Sequence, residues 1–134
     1  MKEIKQWIES HEGLRLEPYL DSLGNLTIGV GRCLSVNGIS KEEAEFLLEN
    51  DIREAIRGLQ QYSWYVVQPA GVQMALVNMC FNLGLPRLLG FRKMIKGLID
   101  RDYEVAAAEA LDSRWALQVK GRSEAVADKI RAGK

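Results

Sequence analysis

The chain holds one histidine and two cysteines among its 134 residues. His11 has no second histidine and no cysteine near it at ligand spacing, so the sequence offers no zinc site and no metal is expected. Cys33 and Cys80 form no CxxC pair and lie far apart; they read as two reduced side chains, buried or half-buried. No apolar run approaches the ~18 residues of a membrane span, so no membrane anchor is expected. Met1–Gln6 is not followed by the apolar stretch of a secretory signal. A phosphate loop of the form GxxxxGK[ST] is missing, as are repeats and low-complexity segments. Net charge is zero, which removes any global pull toward a polyanion, and no nucleic-acid module is present. Neither a cofactor nor a nucleic-acid partner is expected.

What is present is ordinary in bulk and uneven in detail. With 47% hydrophobic and 27% charged residues the composition is that of a globular domain. A chain of this size buries roughly two thirds of its unfolded surface, so no disulfide staple is needed. Residues 1–52 carry a balance of −5, residues 53–84 of +1 and residues 85–134 of +4. An acidic front and a basic back suit a cleft between lobes of opposite sign.

Residues 2–11 carry Ile4, Trp7, Ile8 and His11 on one helical stripe, and Gly13 stops that helix. Leu14 to Tyr19 reads as an extended segment that Pro18 confines to a sheet edge. Ser22-Leu23-Gly24-Asn25 is a turn cluster. Leu26–Val30 is rich in β-branched residues and reads as a strand, with Gly29 and Gly31 allowing tight curvature or close backbone approach. A third strand is expected near Cys33–Val36, closed by Asn37-Gly38. Ser40-Lys41-Glu42-Glu43 has the form of a capping box and opens a long helix to about residue 60. Residues 61–71 read as a loop or short helix. Val72 to Leu83 is apolar nearly all round, as in a helix at the centre of a core. Further helices are expected at about 87–98, 102–112 and 122–132, with Asp100 or Asp102 capping the second and Ser123 near the start of the third. The pattern is α+β and mainly helical.

The stretch that carries chemistry is Glu12, Asp21 and Thr27. Glu12 closes a helix, while Asp21 and Thr27 sit in a hairpin, so the groups can face one another across a cleft. Breaking a glycosidic bond commonly needs two carboxyls, one to protonate the leaving oxygen and one to activate water or attack carbon. Taken singly, each residue is as well explained by a solvated charge, a turn former and a strand threonine.

Taken together they resemble the signature of the phage-type lysozymes, glycoside hydrolase family 24: Glu, eight residues, Asp, five residues, Thr, then Ile-Gly-x-Gly, here ending Ile28-Gly29-Val30-Gly31. Further blocks resemble the same family in order: Ser40–Glu45, Val77–Gly84, Gly90-Phe91 and Ser113-Arg114-Trp115. The resemblance implies a lysozyme-like fold. A small antiparallel sheet lobe (13–38) and a helical lobe (1–12 and 61–134) would be joined by a long helix (40–60), all within one domain (1–134). It implies a muramidase that hydrolyses the bond between N-acetylmuramic acid and N-acetylglucosamine in bacterial peptidoglycan. Glu12 would be the general acid, Asp21 the carboxylate that helps activate water, and Thr27 the residue that positions it, with inversion at the anomeric carbon. Arg122, seven residues after Trp115, falls where the family pairs an arginine with the catalytic glutamate. Such a cation favours the ionised carboxylate, which works against an acid.

Two departures stand out. Where the family carries a histidine after Ile-Gly-x-Gly, this chain has Arg32; Asp51 occupies the position of that histidine's partner, so an Arg32–Asp51 ion pair is expected. Only eight residues separate Gly31 from Ser40, which trims the small lobe. Cys33, Phe81 and Asn82 are candidate substrate-binding residues, whereas Met94 and Glu109 replace smaller or amide side chains and are poor sugar contacts. Trp7 and Trp115 read as core and Trp64 is open. The expected setting is synthesis in a bacterial host cytoplasm and action on the wall or periplasm as a monomer, released by a separate membrane-permeabilising partner, a holin. The competing reading is a catalytically silent peptidoglycan-binding or interaction domain. A lytic transglycosylase, which can work with one acid, is disfavoured by Asp21.

Overall fold

Glycines and caps punctuate the chain into three strands and ten helices. The computed structural model describes all residues, 1–134. Helix α1 (Lys2–Glu12) leads into β1 (Arg15–Leu20), β2 (Leu26–Gly29) and β3 (Arg32–Cys33), then α2 (Leu34–Asn37) and the long α3 (Lys41–Leu59). There follow α4 (Ser63–Val66), α5 (Ala70–Leu83), α6 (Leu85–Leu89), α7 (Arg92–Ile99), α8 (Tyr103–Leu111), α9 (Arg114–Gln118) and α10 (Lys120–Ala132). The chain divides inside α3 into two compact units, Met1–Phe46 and Leu47–Lys134. No helix is long and apolar enough to cross a membrane.

In the first unit the sheet runs β1-β2-β3, antiparallel throughout. Pro18 lies on the edge strand β1, where its missing N–H costs no ladder bond, and the register slips between Arg15 and Tyr19. The expected third strand is shorter than its pattern suggests: after Cys33 the chain closes one turn of helix, Leu34–Asn37, ended by Gly38, whose N–H donates to the Leu34 carbonyl at φ +56°. Helix α3 opens as the capping box requires. Glu43 N–H donates to Ser40 Oγ and Ser40 N–H to Glu43 Oε1, at 3.1 and 2.9 Å. Trp7 is not core. It is 64% exposed and meets His11 edge-on at 5.8 Å, and no residue of α1 is buried. The stripe of α1 is real, but amphipathicity marks a face suited to burial and does not by itself bury it.

The second unit holds the apolar core. Leu59, Val72, Leu76, Met79, Leu88, Met94, Leu98 and Ile130 are fully enclosed, with α5 at the centre as its all-round apolar sequence requires. The run expected as one helix over 87–98 breaks at Gly90-Phe91 into α6 and α7. Asp102, not Asp100, caps α8, its carboxylate accepting from Val105 N–H at 3.1 Å. The sequence signal also misses α9, capped by Ser113 through Ala116 N–H. As a result α10 begins at Lys120, and Ser123 lies inside it, buried, donating to the carbonyls of Lys120 and Ala116. Trp115 is core as expected, 3% exposed and edge-on to Phe91.

Candidate active site

Glu12 is the last residue of α1 because Gly13 takes φ +75° and returns its N–H to the Glu9 carbonyl at 2.7 Å. The helix end leaves the Glu12 side chain exposed, and it lies back against Gly31. A Cβ placed on Gly31 would stand 2.6 Å from Glu12 Oε2 and 2.9 Å from Cδ. Gly31, at φ +68°, is thus the backbone surface on which the carboxylate rests. The close approach expected at this glycine is an approach by Glu12.

Asp21 opens the β1–β2 hairpin. Gly24 N–H closes a β-turn onto the Asp21 carbonyl at 3.0 Å, with Gly24 at φ +81°. The Asp21 carboxylate folds over that turn and takes Leu23 N–H and Asn25 N–H on Oδ1 at 2.9 and 2.8 Å, and the Asn25 amide on Oδ2 at 3.4 Å. These donors hold the carboxyl below its ordinary value of 3.8, the Asn25 N–H contributing most, against a smaller opposing effect of desolvation. Thr27 is 3% exposed, and its hydroxyl donates to the Asn25 carbonyl at 2.8 Å. Asp21 N–H donates to that same oxygen at 2.9 Å. In register, Thr27 pairs with Tyr19 on β1 and Cys33 on β3. The first unit therefore carries one exposed carboxyl on a helix end, a second fixed by turn donors, and a threonine hydroxyl joined to the second through one residue. Two carboxyls are what acid–base cleavage of a glycosidic bond uses.

Within the first unit the Arg32 guanidinium pairs with Glu43, Nη2 to Oε2 at 3.0 Å, and donates from Nη1 to the Gly38 carbonyl at 3.1 Å; Asp51, the expected partner, belongs to the second unit. The capping box already holds Glu43 in place, so no further ordering is needed to receive the arginine. Both side chains are 41% exposed, which puts the pair in the weak surface class. Cys33 is half-buried with Sγ 3.4 Å from Ser35 Oγ, and both cysteines are free. Burial pushes the Cys80 thiol up, which keeps it protonated and unreactive.

In the second unit, Asp51 lines a hollow of about 460 Å³ with Glu54, Cys80 and Phe81. Phe81 is 42% exposed and also lines a second, mostly apolar groove with Arg122. Arg122 is held by Asn78, Nε to Oδ1 at 2.7 Å, and its guanidinium stands 5.9 Å from the Phe81 ring. Asn82 is exposed and accepts from the Trp115 indole N–H at 2.7 Å, so its free polar group is the amide nitrogen. Met94 is fully enclosed, which removes it from any surface, while Glu109 lines a shallow pocket with Arg92 and Lys93. Trp64 is partly buried against the core, tilted on Tyr62. No group of three His, Cys, Asp or Glu side chains that could hold a metal is present.

Sequence reasoning missed Asn25 as more than a turn former, Glu43 as the Arg32 partner and Asn78 as the Arg122 partner. Only the first had a readable signal: Asp followed four residues later by Asn, with Gly between, is a side-chain-capped turn.

The family model described as Phage lysozyme matches residues 9–129. The chain is 29% identical over 153 aligned positions to the pre-baseplate central spike protein Gp5 of Enterobacteria phage T4, covering 92% of this chain and 26% of that protein. It is 28% and 26% identical to probable T4-type lysozymes 2 and 1 of Dictyostelium discoideum, in each case over 97% of this chain and 94% of the relative. The chain thus spans about a quarter of the spike protein and nearly all of the two lysozymes.

Proposed function

The chain belongs to the phage lysozyme family, lysozyme-type glycoside hydrolases, and from that membership we propose that it hydrolyses the β-1,4 bond between N-acetylmuramic acid and N-acetylglucosamine in bacterial peptidoglycan. Glu12, protonated, gives its proton to the glycosidic oxygen. The C1–O bond breaks with its electron pair passing to that oxygen. Water attacks C1 from the opposite face, and its proton passes to Asp21. The anomeric configuration inverts, which calls for about 6.5–9.5 Å between the two carboxyls so that water fits between them.

The observation that carries this reading is the unlike surroundings of the two carboxyls. Asp21 is fixed and held ionised by hairpin donors, as a base must be. Glu12 is exposed at a helix end on a glycine surface, open to a substrate oxygen. Two groups with different surroundings suit two different roles. Arg122 acting on Glu12, Thr27 holding the attacking water, and Cys33, Phe81 and Asn82 touching sugar are parts of the same proposal. So are action as a monomer on the wall and release by a holin.

Clearing of purified Gram-negative walls by the native protein, and none by Glu12→Gln, supports the proposal. Folded protein that pulls down walls without clearing them favours the silent binding domain. Anhydro products in the mass spectrum, in place of reducing ends, favour a transglycosylase.

A further inference from the structure

Asn25 stands between the two hairpin groups of the proposed reaction and touches both. Its backbone N–H and its side-chain amide donate to the two oxygens of Asp21, at 2.8 and 3.4 Å. Its carbonyl accepts from the Thr27 hydroxyl at 2.8 Å and from Asp21 N–H at 2.9 Å. A hydroxyl has one proton, and Thr27 gives it to Asn25. What remains on Thr27 Oγ1 is lone pairs, so toward a water Thr27 is an acceptor only. An ionised carboxylate is likewise an acceptor only. A water meeting both groups would spend its two protons on them and keep a lone pair free to attack.

We infer that Asn25 is a positioning residue for the reaction proposed above, one that joins Asp21 and Thr27 into a two-acceptor cradle for the attacking water. The inference rests on the muramidase reading, because the cradle has a purpose only where water attacks carbon. It goes beyond that reading in assigning a role to Asn25, which lies outside the Glu-Asp-Thr signature. The side-chain amide is the part that can be removed: Asn25→Ala keeps the backbone N–H and carbonyl and deletes the donor to Oδ2. Asn25→Asp keeps the shape and sets a second carboxylate against Asp21. No neighbouring charge contributes to the lowered Asp21 carboxyl; hydrogen bonds from Asn25, Leu23 and Gly24 do, so losing one is legible in its titration.

The test is the Asp21 carboxyl titration by carbon NMR in native protein, Asn25→Ala and Asn25→Asp, with kcat, KM and the pH profile on soluble peptidoglycan strands. The Asp21 midpoint should rise in Asn25→Ala and rise further in Asn25→Asp. The acid limb of kcat should follow it, and kcat should fall about tenfold in Asn25→Ala at little change in KM. A purely structural role would lower the melting temperature and leave the midpoint in place. An unmoved midpoint, or native kcat and acid limb in both variants of an active enzyme, overturns the role of Asn25 alone. Native protein that leaves the strands intact overturns the muramidase reading and the role of Asn25 with it. Asn25→Ala suffices if Asn25→Asp does not fold.

Discussion

Gly31 and Gly29 form a matched pair for asking what the close approach of Glu12 is worth. Both sit at positive φ, +68° and +71°. An alanine at either pays the same kind of backbone strain, about 1–2 kcal/mol for an L-residue in the left-handed region. The surroundings differ: a Cβ at Gly29 meets nothing within 4 Å, whereas at Gly31 it meets Glu12 Oε2 at 2.6 Å, Cδ at 2.9 Å and Cγ at 3.2 Å. Ordinary contact begins near 3.4 Å, so the Glu12 carboxyl must retreat by about 0.8 Å. Glu12 is exposed, and its turn to a poorer rotamer costs only about 0.5–1.5 kcal/mol. Stability therefore separates the two variants little. With Glu12 as the proposed acid, activity separates them widely, because misplacing a catalytic group by about 1 Å costs on the order of 10²-fold. Melting curves and wall-clearing rates of Gly29→Ala and Gly31→Ala measure both quantities. Equal clearing rates, at equal stability, would refute the idea that Gly31 sets the position of Glu12.

Two further outcomes follow from contacts elsewhere. Gln68, 6% exposed, donates to the Trp64 and Leu98 carbonyls and accepts from Tyr103 O–H at 2.8 Å; Gln68→Leu strands those partners and should cost ~1–3 kcal/mol in denaturant unfolding, whereas an unchanged midpoint would mean that water replaces the amide. Glu43→Ala should lower the melting temperature at neutral pH, because it removes both a capping-box acceptor and the Arg32 partner. The Glu43 carboxyl is held below its ordinary 4.5, first by Ser40 N–H and then by the Ser40 hydroxyl and Arg32, so its contribution is present above that value and lost as pH falls through the lowered one. A Glu43→Ala deficit that persists in acid would contradict this.

Local signals with a definite hydrogen-bond partner were legible in the sequence. The Ser40–Glu43 box, the Pro18 edge strand, the hairpin after Asp21 and the apolar helix α5 all appear where their residues require. Elements whose boundaries rest on short or tertiary features were not. Gly90-Phe91 splits what periodicity reads as one helix, because a five-residue α6 is shorter than the window in which a helical period shows. The same brevity hides α9, and with it the true start of α10, so that Ser123 looks like a cap while its hydroxyl bonds backward into its own helix.

In the site, the residue types were readable and their partners were not. Glu12, Asp21 and Thr27 were picked out through the resemblance to the lysozyme signature, and what lies against the two carboxyls is backbone: a glycine surface under Glu12 and turn amides around Asp21. The resemblance named Asp51 as the partner of Arg32; within the first unit the guanidinium meets Glu43, whose carboxylate the capping box already holds. Trp7 shows the converse error, since a helical stripe states which face is apolar and says nothing of what covers it.

The most direct measurement is the anomeric configuration of the product released from peptidoglycan strands by the native protein, followed by proton NMR at early times, with Glu12→Gln and Asp21→Asn alongside. The account predicts an inverted reducing end from the native chain and no product from either variant. Release with retained configuration, or turnover by Glu12→Gln at the native rate, would contradict it.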